Sequence, residues 1–326
     1  NGHPQGNAKA QGVQHTTHIF DAVVIANGHF SEPNLPDVPG QDTCPVLQLH
    51  SHSYRTPEPF TGQVVLIVGA SNSGEDIARE LSPVCQQVLL SARTWKEEEL
   101  RGPDSAPFGT GLNIYRRPLV SQLTEDGLAV FPDGSRERVD AVIYATGYKY
   151  HFPFLKGVPT EAVACHGSFV TPLFEQLFPP RFGATLSFLG LPWKTLPFYQ
   201  FEIQARLVAR LLAGHVELPS ERAMQEAVED QEQEMQQAGT PVRHYHQLGL
   251  AQFDYNQRLT AMSGLPLTGI QEWREQLYQA TGALKRAHPA TYRDATWPSS
   301  MAPVVAAMQA DLDLQEQLLN EKLQVV

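Results

Sequence analysis

Residues 64–78 read Val-Val-Leu-Ile-Val-Gly-Ala-Ser-Asn-Ser-Gly-Glu-Asp-Ile-Ala. Five consecutive apolar residues, Val64–Val68, predict a buried strand, and Asp76-Ile77-Ala78-Arg79-Glu80-Leu81 continues as an amphipathic helix. Between them, Gly69 lets the chain turn sharply and Gly74 lets the helix pack close to the strand. The unpaired N–H groups and positive dipole end of such a helix favour an anion. This spacing is how a chain cradles the pyrophosphate of a dinucleotide. The middle position of the G-x-G-x-x-G pattern is Ser71, so the plain motif is degraded, and the strand and helix around it carry the reading.

Outward from this unit, a second strand is predicted over Gln87-Val88-Leu89-Leu90-Ser91. An NAD site places a carboxylate at that strand's end to hold the ribose 2′-hydroxyl. Here the strand exits through Ser91-Ala92-Arg93, and a hydroxyl with a guanidinium suits a 2′-phosphate, favouring NADP(H) over NAD(H). Two further apolar strands match each other in pattern. Phe20-Asp21-Ala22-Val23-Val24-Ile25-Ala26-Asn27-Gly28 parallels Val139-Asp140-Ala141-Val142-Ile143-Tyr144-Ala145-Thr146-Gly147. A nucleotide domain inserted into another domain needs two such crossings, one out and one back.

The proline-punctuated stretch Ser31–Gly40 reads as an extended crossover. Residues 96–120, with the acid run Glu97-Glu98-Glu99, read as irregular solvated surface, and Leu128–Phe131 with Arg138-Val139 as a hairpin about Pro132-Asp133-Gly134-Ser135. Beyond residue 150 the chain turns helical. Ile203, Leu207, Val208, Leu211 and Leu212 share a face, Ser220–Ala238 is a charged surface helix, and Ile270, Trp273 and Leu277 form another stripe.

Composition narrows the function classes. At 326 residues, 42% hydrophobic and 18% charged, the chain is globular and long enough for two domains. A net charge of −11 argues against nucleic acid as a partner. Cys44, Cys85 and Cys165 contain no CxxC spacing, which disfavours a redox dithiol, a zinc knuckle and a secreted disulfide framework. No apolar run reaches the roughly 18 residues that mark a membrane span. The expected location is cytoplasmic, with targeting left open because the chain starts at Asn1 and not at Met. No Ser/His/Asp set, carboxylate pair or metal spacing emerges, so no side-chain acid or base is assigned as catalytic, and no metal.

Taken together, Asn27-Gly28-His29-Phe30-Ser31-Glu32-Pro33, His50-Ser51-His52-Ser53-Tyr54-Arg55, Gly69–Ile77 and Tyr144-Ala145-Thr146-Gly147-Tyr148 resemble the flavin-containing monooxygenases. Phe188-Leu189-Gly190-Leu191-Pro192-Trp193-Lys194, Gln252-Phe253-Asp254-Tyr255-Asn256 and Ala287-His288-Pro289 are similar to the soluble plant and fungal members, glucosinolate S-oxygenases among them. The family signature F-x-G-x-x-x-H-x-x-x-[Y/F] keeps His50 and Tyr54 but has Cys44 and Val46 at the Phe and Gly positions.

The resemblance implies an α/β fold in which an NADPH-binding Rossmann-like domain, residues 41–140, is inserted into a FAD-binding domain. Residues 1–40 and 141–326 would supply parts of that second domain, the latter with a helical tail. The FAD-binding domain is expected to be incomplete, because no strand–GxGxxG–helix unit precedes Phe20. By the same resemblance, Gly69, Ser71, Asn72, Ser73 and Gly74 would hold the pyrophosphate, and Ser91 and Arg93 would lie near the 2′-phosphate. Asn27, Thr146 and Gly147 would stand at the crossings beside both cofactors, FAD and NADP(H), and the helix start Pro197–Gln204 would meet the flavin.

The implied reaction is oxygenation of a soft nucleophile, a thioether sulfur or an amine nitrogen. NADPH would reduce FAD, and O2 would be carried to the substrate as a flavin C4a-hydroperoxide. Two alternatives stand beside it: an inactive NADP-binding fragment without the flavin's pyrophosphate loop, and, ranked lower, a Baeyer–Villiger-type monooxygenase, whose signature ends in tryptophan where this chain has Tyr54-Arg55. A pyridine-nucleotide disulfide reductase would need a cysteine pair that the sequence lacks.

Overall fold

The run Val64–Val68 is the central strand of a five-stranded, all-parallel sheet. Across the sheet the order is Leu47–His50, Ala141–Tyr144, Val64–Val68, Gln87–Ala92 and Ile114–Pro118. A parallel sheet is covered on both faces, and the period-2 alternation of its strands distributes the covers. Val65, Ile67, Val88, Leu90 and Ile143 pack under the helix Asn72–Leu81 through its buried Ile77, Ala78 and Leu81. Leu66, Val68, Leu89 and Val142 face the other way, onto Leu123, Ala129 and Phe131 of an antiparallel meander built from Gln122–Leu123, Leu128–Val130 and Arg136–Arg138. The structure is a computed structural model and describes residues 16–95, 106–265, 271–288 and 291–323. The run Glu97–Glu99, Ile270 and Pro289 lie outside the described residues.

The sheet corrects two sequence readings. Residues 96–120 are not irregular throughout, because Ile114–Pro118 forms the edge strand beside Gln87–Ala92. The two matching strands are also not equivalent. Ala141–Tyr144 lies inside the five-stranded sheet, between Leu47–His50 and Val64–Val68, so the sheet runs through the boundary drawn at residues 140 and 141. Val23–Ile25 instead pairs in parallel with Leu186–Phe188, in a separate two-stranded sheet.

The segments leaving these two strands do come together. Glu32–Pro33 pairs antiparallel with Tyr148–Lys149, so the outgoing and returning chains run side by side. On the far side of this link, Ile25, Tyr150, Phe152, Leu186 and Phe188 form one core cluster. Ile203, Leu207, Val208 and Leu211 of the helix Pro197–Leu212 form another with Tyr255 and Leu259 of the helix Gln252–Met262. The helix Glu221–Gln237 is capped by Ser220 and buries only Met224 and Val228, the predicted solvated helix. Two long tail helices, Gln271–Ala287 and Ala302–Leu323, pack on each other. No helix among the described residues is long and apolar enough to cross a membrane.

Candidate dinucleotide site

Strand order reverses between Val64–Val68 and Ala141–Tyr144, and an open α/β sheet binds its ligand outside the carboxyl ends of the strands at such a point. Gly69 and Ala145 occupy those two ends. Gly69 has φ +109°, a conformation that L side chains rarely adopt, and a Cβ placed there would stand 2.4 Å from the Ala145 carbonyl oxygen. Its N–H donates to the Ser91 carbonyl at 2.8 Å, which ties the turn to the neighbouring strand. A Cβ at Gly74 would stand 1.8 Å from the Gly69 carbonyl oxygen, so only glycine lets the helix approach this closely.

Ser71 is the N-cap of the helix, yet its side chain makes no cap hydrogen bond; its carbonyl accepts from Glu75 N–H at 2.9 Å. Ser71, Asn72 and Ser73 are exposed at the rim. The helix therefore presents its first turn outward, uncapped by its own serine, as an anion cradle requires. Of the predicted residues, the structure brings Gly69, Ser71, Asn72, Ser73 and Gly74 together here, with Thr146 and Gly147 following directly on Ala145.

Ser91 is a correction. It is fully buried, and its hydroxyl is consumed by the fold: Oγ donates to the Pro118 carbonyl at 2.9 Å and accepts from Val120 N–H at 2.8 Å. Strand parity explains this. Ser91 shares a face with Leu89, toward the meander, whereas Leu90 faces the helix. Arg93, just past the strand, is exposed and remains at the expected rim.

A second arginine, which the sequence reading missed, stands on the helix side of the sheet. Arg116 pairs in register with Leu90, and its guanidinium lies 4.1 Å over the Phe108 ring and 5.6 Å from the Trp95 ring. Arg79 of the helix lies 5.5 Å from the same Phe108 ring. Its pairing with Leu90 joins two different strands, so no local sequence pattern marked it.

At the crossings, Thr146 Oγ1 donates to the Asn34 carbonyl at 2.6 Å, and Asn34 N–H donates to the Gly147 carbonyl at 2.9 Å. Gly28 and Gly147 turn with φ +74° and +82°, and a Cβ at either would meet nothing within 4 Å, so both border open space. Asn27 is exposed beside Gly28, past the strand Val23–Ile25. His29 is held by its Nδ1 contact with the Gly190 carbonyl at 2.9 Å. The helix Pro197–Leu212 opens with Pro197 at its first turn and exposes Phe198. Further in, Gln204 is fully buried and joins Gly190 N–H to the Tyr255 hydroxyl, at 2.9 Å on each side.

His50 acts as an anchor. It is buried, its Nδ1 accepts from His52 N–H at 3.0 Å, and burial holds its pKa below the usual histidine value. Cys85 donates to the Phe60 carbonyl, and burial pushes its thiol up to about 11, while all three cysteines are unpaired. No group of acidic, histidine or cysteine side chains suited to a metal occurs among the described residues. The arrangement brings an uncapped helix start and two glycines that exclude a Cβ to the strand ends, with Gly28 and Gly147 bordering open space beyond.

Comparison with known proteins identifies the family. The chain matches the family described as flavin-binding monooxygenase-like over residues 6–97 and 110–265. It is 39% identical over 277 residues to flavin-containing monooxygenase FMO GS-OX-like 4 of Arabidopsis thaliana, covering 85% of this chain and 59% of that protein. The structure of S-allyl-L-cysteine S-oxygenase from Allium sativum superposes with TM-score 0.81 at 37% identity, over 90% of this chain and 64% of that one. Tmm from Pelagibacter sp. strain HTCC7211 superposes with TM-score 0.70 at 24% identity, over 87% of this chain and 61% of that one, and shows the shared fold. The chain thus spans about three-fifths of the length of these relatives. It is an α/β protein of the two-dinucleotide-binding type, and it belongs to the flavin-binding monooxygenase-like family.

Proposed function

We propose that this chain seats NADPH on the Gly69–Gly74 turn, as the nucleotide-binding part of an NADPH- and O2-dependent flavin monooxygenase acting on a soft nucleophile. The observation that carries this reading is the placement of the turn. It lies at the strand-order reversal, one peptide from the crossing at Thr146-Gly147 that leads to the flavin side. The residues present fit the nucleotide: two glycines that a Cβ would block, an outward first turn and an exposed Arg93 at the strand exit. FAD would supply the oxygen chemistry, in the open region flanked by Gly28, Gly147 and the start of the helix Pro197–Leu212. This chain's part is to hold the nucleotide and to fix the crossings through Asn34 and Thr146.

Thioether sulfur is the favoured substrate class over amine nitrogen, supported by the similarity to an S-oxygenase. In domain terms, residues 41–140 extended through Tyr144 would form the NADPH unit, with 1–40 and the remainder on the flavin side. Three unpaired cysteines suit a reducing, cytoplasmic setting.

The test is direct titration of the purified chain with NADP+ by calorimetry, followed by desalting after incubation with FAD. Saturable NADP+ binding supports the reading, and its absence overturns it. The second reading, an NADP-binding unit without catalysis, draws on the small flavin-side sheet, whose Val23 and Val24 are 48% and 40% exposed. Flavin absorbance retained after desalting, with thioether-dependent NADPH and oxygen consumption, decides for the enzyme. A colourless chain that still binds NADP+ decides for the second reading.

A further inference from the structure

The tail helix Gln271–Ala287 touches both halves of the molecule. Near its start, Arg274 lies between the rings of Tyr199 and Trp273, 4.0 and 4.2 Å from their centres, and reaches Asp311 at 3.7 Å. One turn on, the Tyr278 hydroxyl donates to the Lys194 carbonyl at 3.3 Å. Its last turn arrives at the nucleotide helix. There the half-buried Lys285 donates from Nζ to Asn72 Oδ1 at 2.8 Å, and beyond the helix Arg293 reaches Asp76 at 3.3 Å. The Tyr292 ring lies between the two cations, 6.0 Å from Lys285 Nζ and 4.7 Å from the Arg293 guanidinium.

These two cations land differently. Arg293 is matched by a carboxylate, so their charges cancel. Lys285 meets a neutral amide on the first residue of the helix, at the rim of the cradle, and an ammonium has three N–H donors of which Asn72 takes one. The first turn also carries Glu75, an acid beside a site meant for a doubly charged anion. A helix end supplies only about half a positive charge, too little to offset that carboxylate and a pyrophosphate together. A full cation at the rim supplies part of what is missing.

We infer that Lys285 is a pyrophosphate ligand of the NADPH site, delivered across the fold by the tail helix. The inference rests on the NADPH reading above. If Lys285 merely docks the tail, its loss leaves nucleotide affinity unchanged. If it binds pyrophosphate, its loss is felt only by ligands that carry one.

The experiment compares NADP+ with adenosine 2′-monophosphate, which has the 2′-phosphate and lacks the pyrophosphate, by calorimetry on the full chain. Lys285→Gln is expected to weaken NADP+ about tenfold or more, the scale of one charge-assisted hydrogen bond, and to leave adenosine 2′-monophosphate within about twofold. Lys285→Arg should restore most of the NADP+ affinity, and it also serves as the folded variant if Lys285→Gln is unstable. NADP+ binding by Lys285→Gln within about twofold of the parent, or equal loss of both ligands, overturns the role of the lysine while the NADPH reading stands. No NADP+ binding by the parent chain overturns both.

Discussion

Gly74 approaches the Gly69 carbonyl so closely that even a methyl group between them would stand 1.8 Å from the oxygen. The clash is with backbone, which cannot rotate away. Gly74→Ala is therefore expected to cost about 3 kcal/mol of stability, the upper range for overpacking, and to abolish NADP+ binding by lifting the helix off the turn. Urea unfolding and calorimetry on the same protein check both effects; an unchanged urea midpoint would refute the close-packing account.

Ser91→Ala separates structure from ligand binding at a position that resembles a ligand contact in sequence. It leaves the Pro118 carbonyl and the Val120 N–H without their buried partner, at an expected cost of about 2 kcal/mol. NADP+ affinity of the folded fraction should stay within about twofold of the parent. A selective loss of NADP+ affinity without loss of stability would return Ser91 to the site.

Arg93→Ala carries the opposite expectation. The exposed guanidinium contributes little to the fold, and its value is to a 2′-phosphate. NADPH affinity should fall about tenfold while NADH is little changed, as read by fluorescence titration. Equal weakening of the two nucleotides would remove the 2′-phosphate role.

His246 sets an acid limit on stability. It is buried, its Nε2 accepts from Val170 N–H at 2.9 Å, and its Nδ1 meets Gln176 Oε1 at 3.1 Å. Burial, with smaller help from nearby His29, pushes its pKa down to about 3, against about 6.5 in the unfolded chain. Below the unfolded value, the unfolded state binds the extra proton and the native state does not. The stability contribution is thus complete above about pH 6.5 and is lost as pH falls toward 3, at up to about 1.4 kcal/mol per pH unit. His246→Gln should flatten the stability–pH curve between pH 6.5 and 5; an identical slope in both proteins would show that other groups govern it.

The parts of this architecture that were legible in sequence share a local cause. Val64–Val68 is apolar without interruption because it is buried on both faces, and Gly69 and Gly74 are punctuation that a turn and a close approach demand. The edge strand Ile114–Pro118 was obscured because Arg116 and Arg117 interrupt its apolar pattern. One is spread over Phe108, and the other is buried against Glu137 at 2.9 Å. Ser91 was misassigned for the reverse reason: its position in the chain was right, but the parity of the strand points it away. Lys285 had no sequence signal at all, since it lies 213 residues from its partner Asn72 and no periodicity spans that distance.

The tail helix has 17 residues and so measures about 25 Å from end to end. Held at Arg274 and again at Lys285, it works as a ruler between the two halves, and it has a phase as well as a length. One residue inserted between Tyr278 and Lys285 would turn the lysine by about 100° around the helix axis, away from Asn72, without altering any residue that faces the nucleotide. Reductant binding in this chain would then depend on helical register in a segment far along the sequence from the glycine turn.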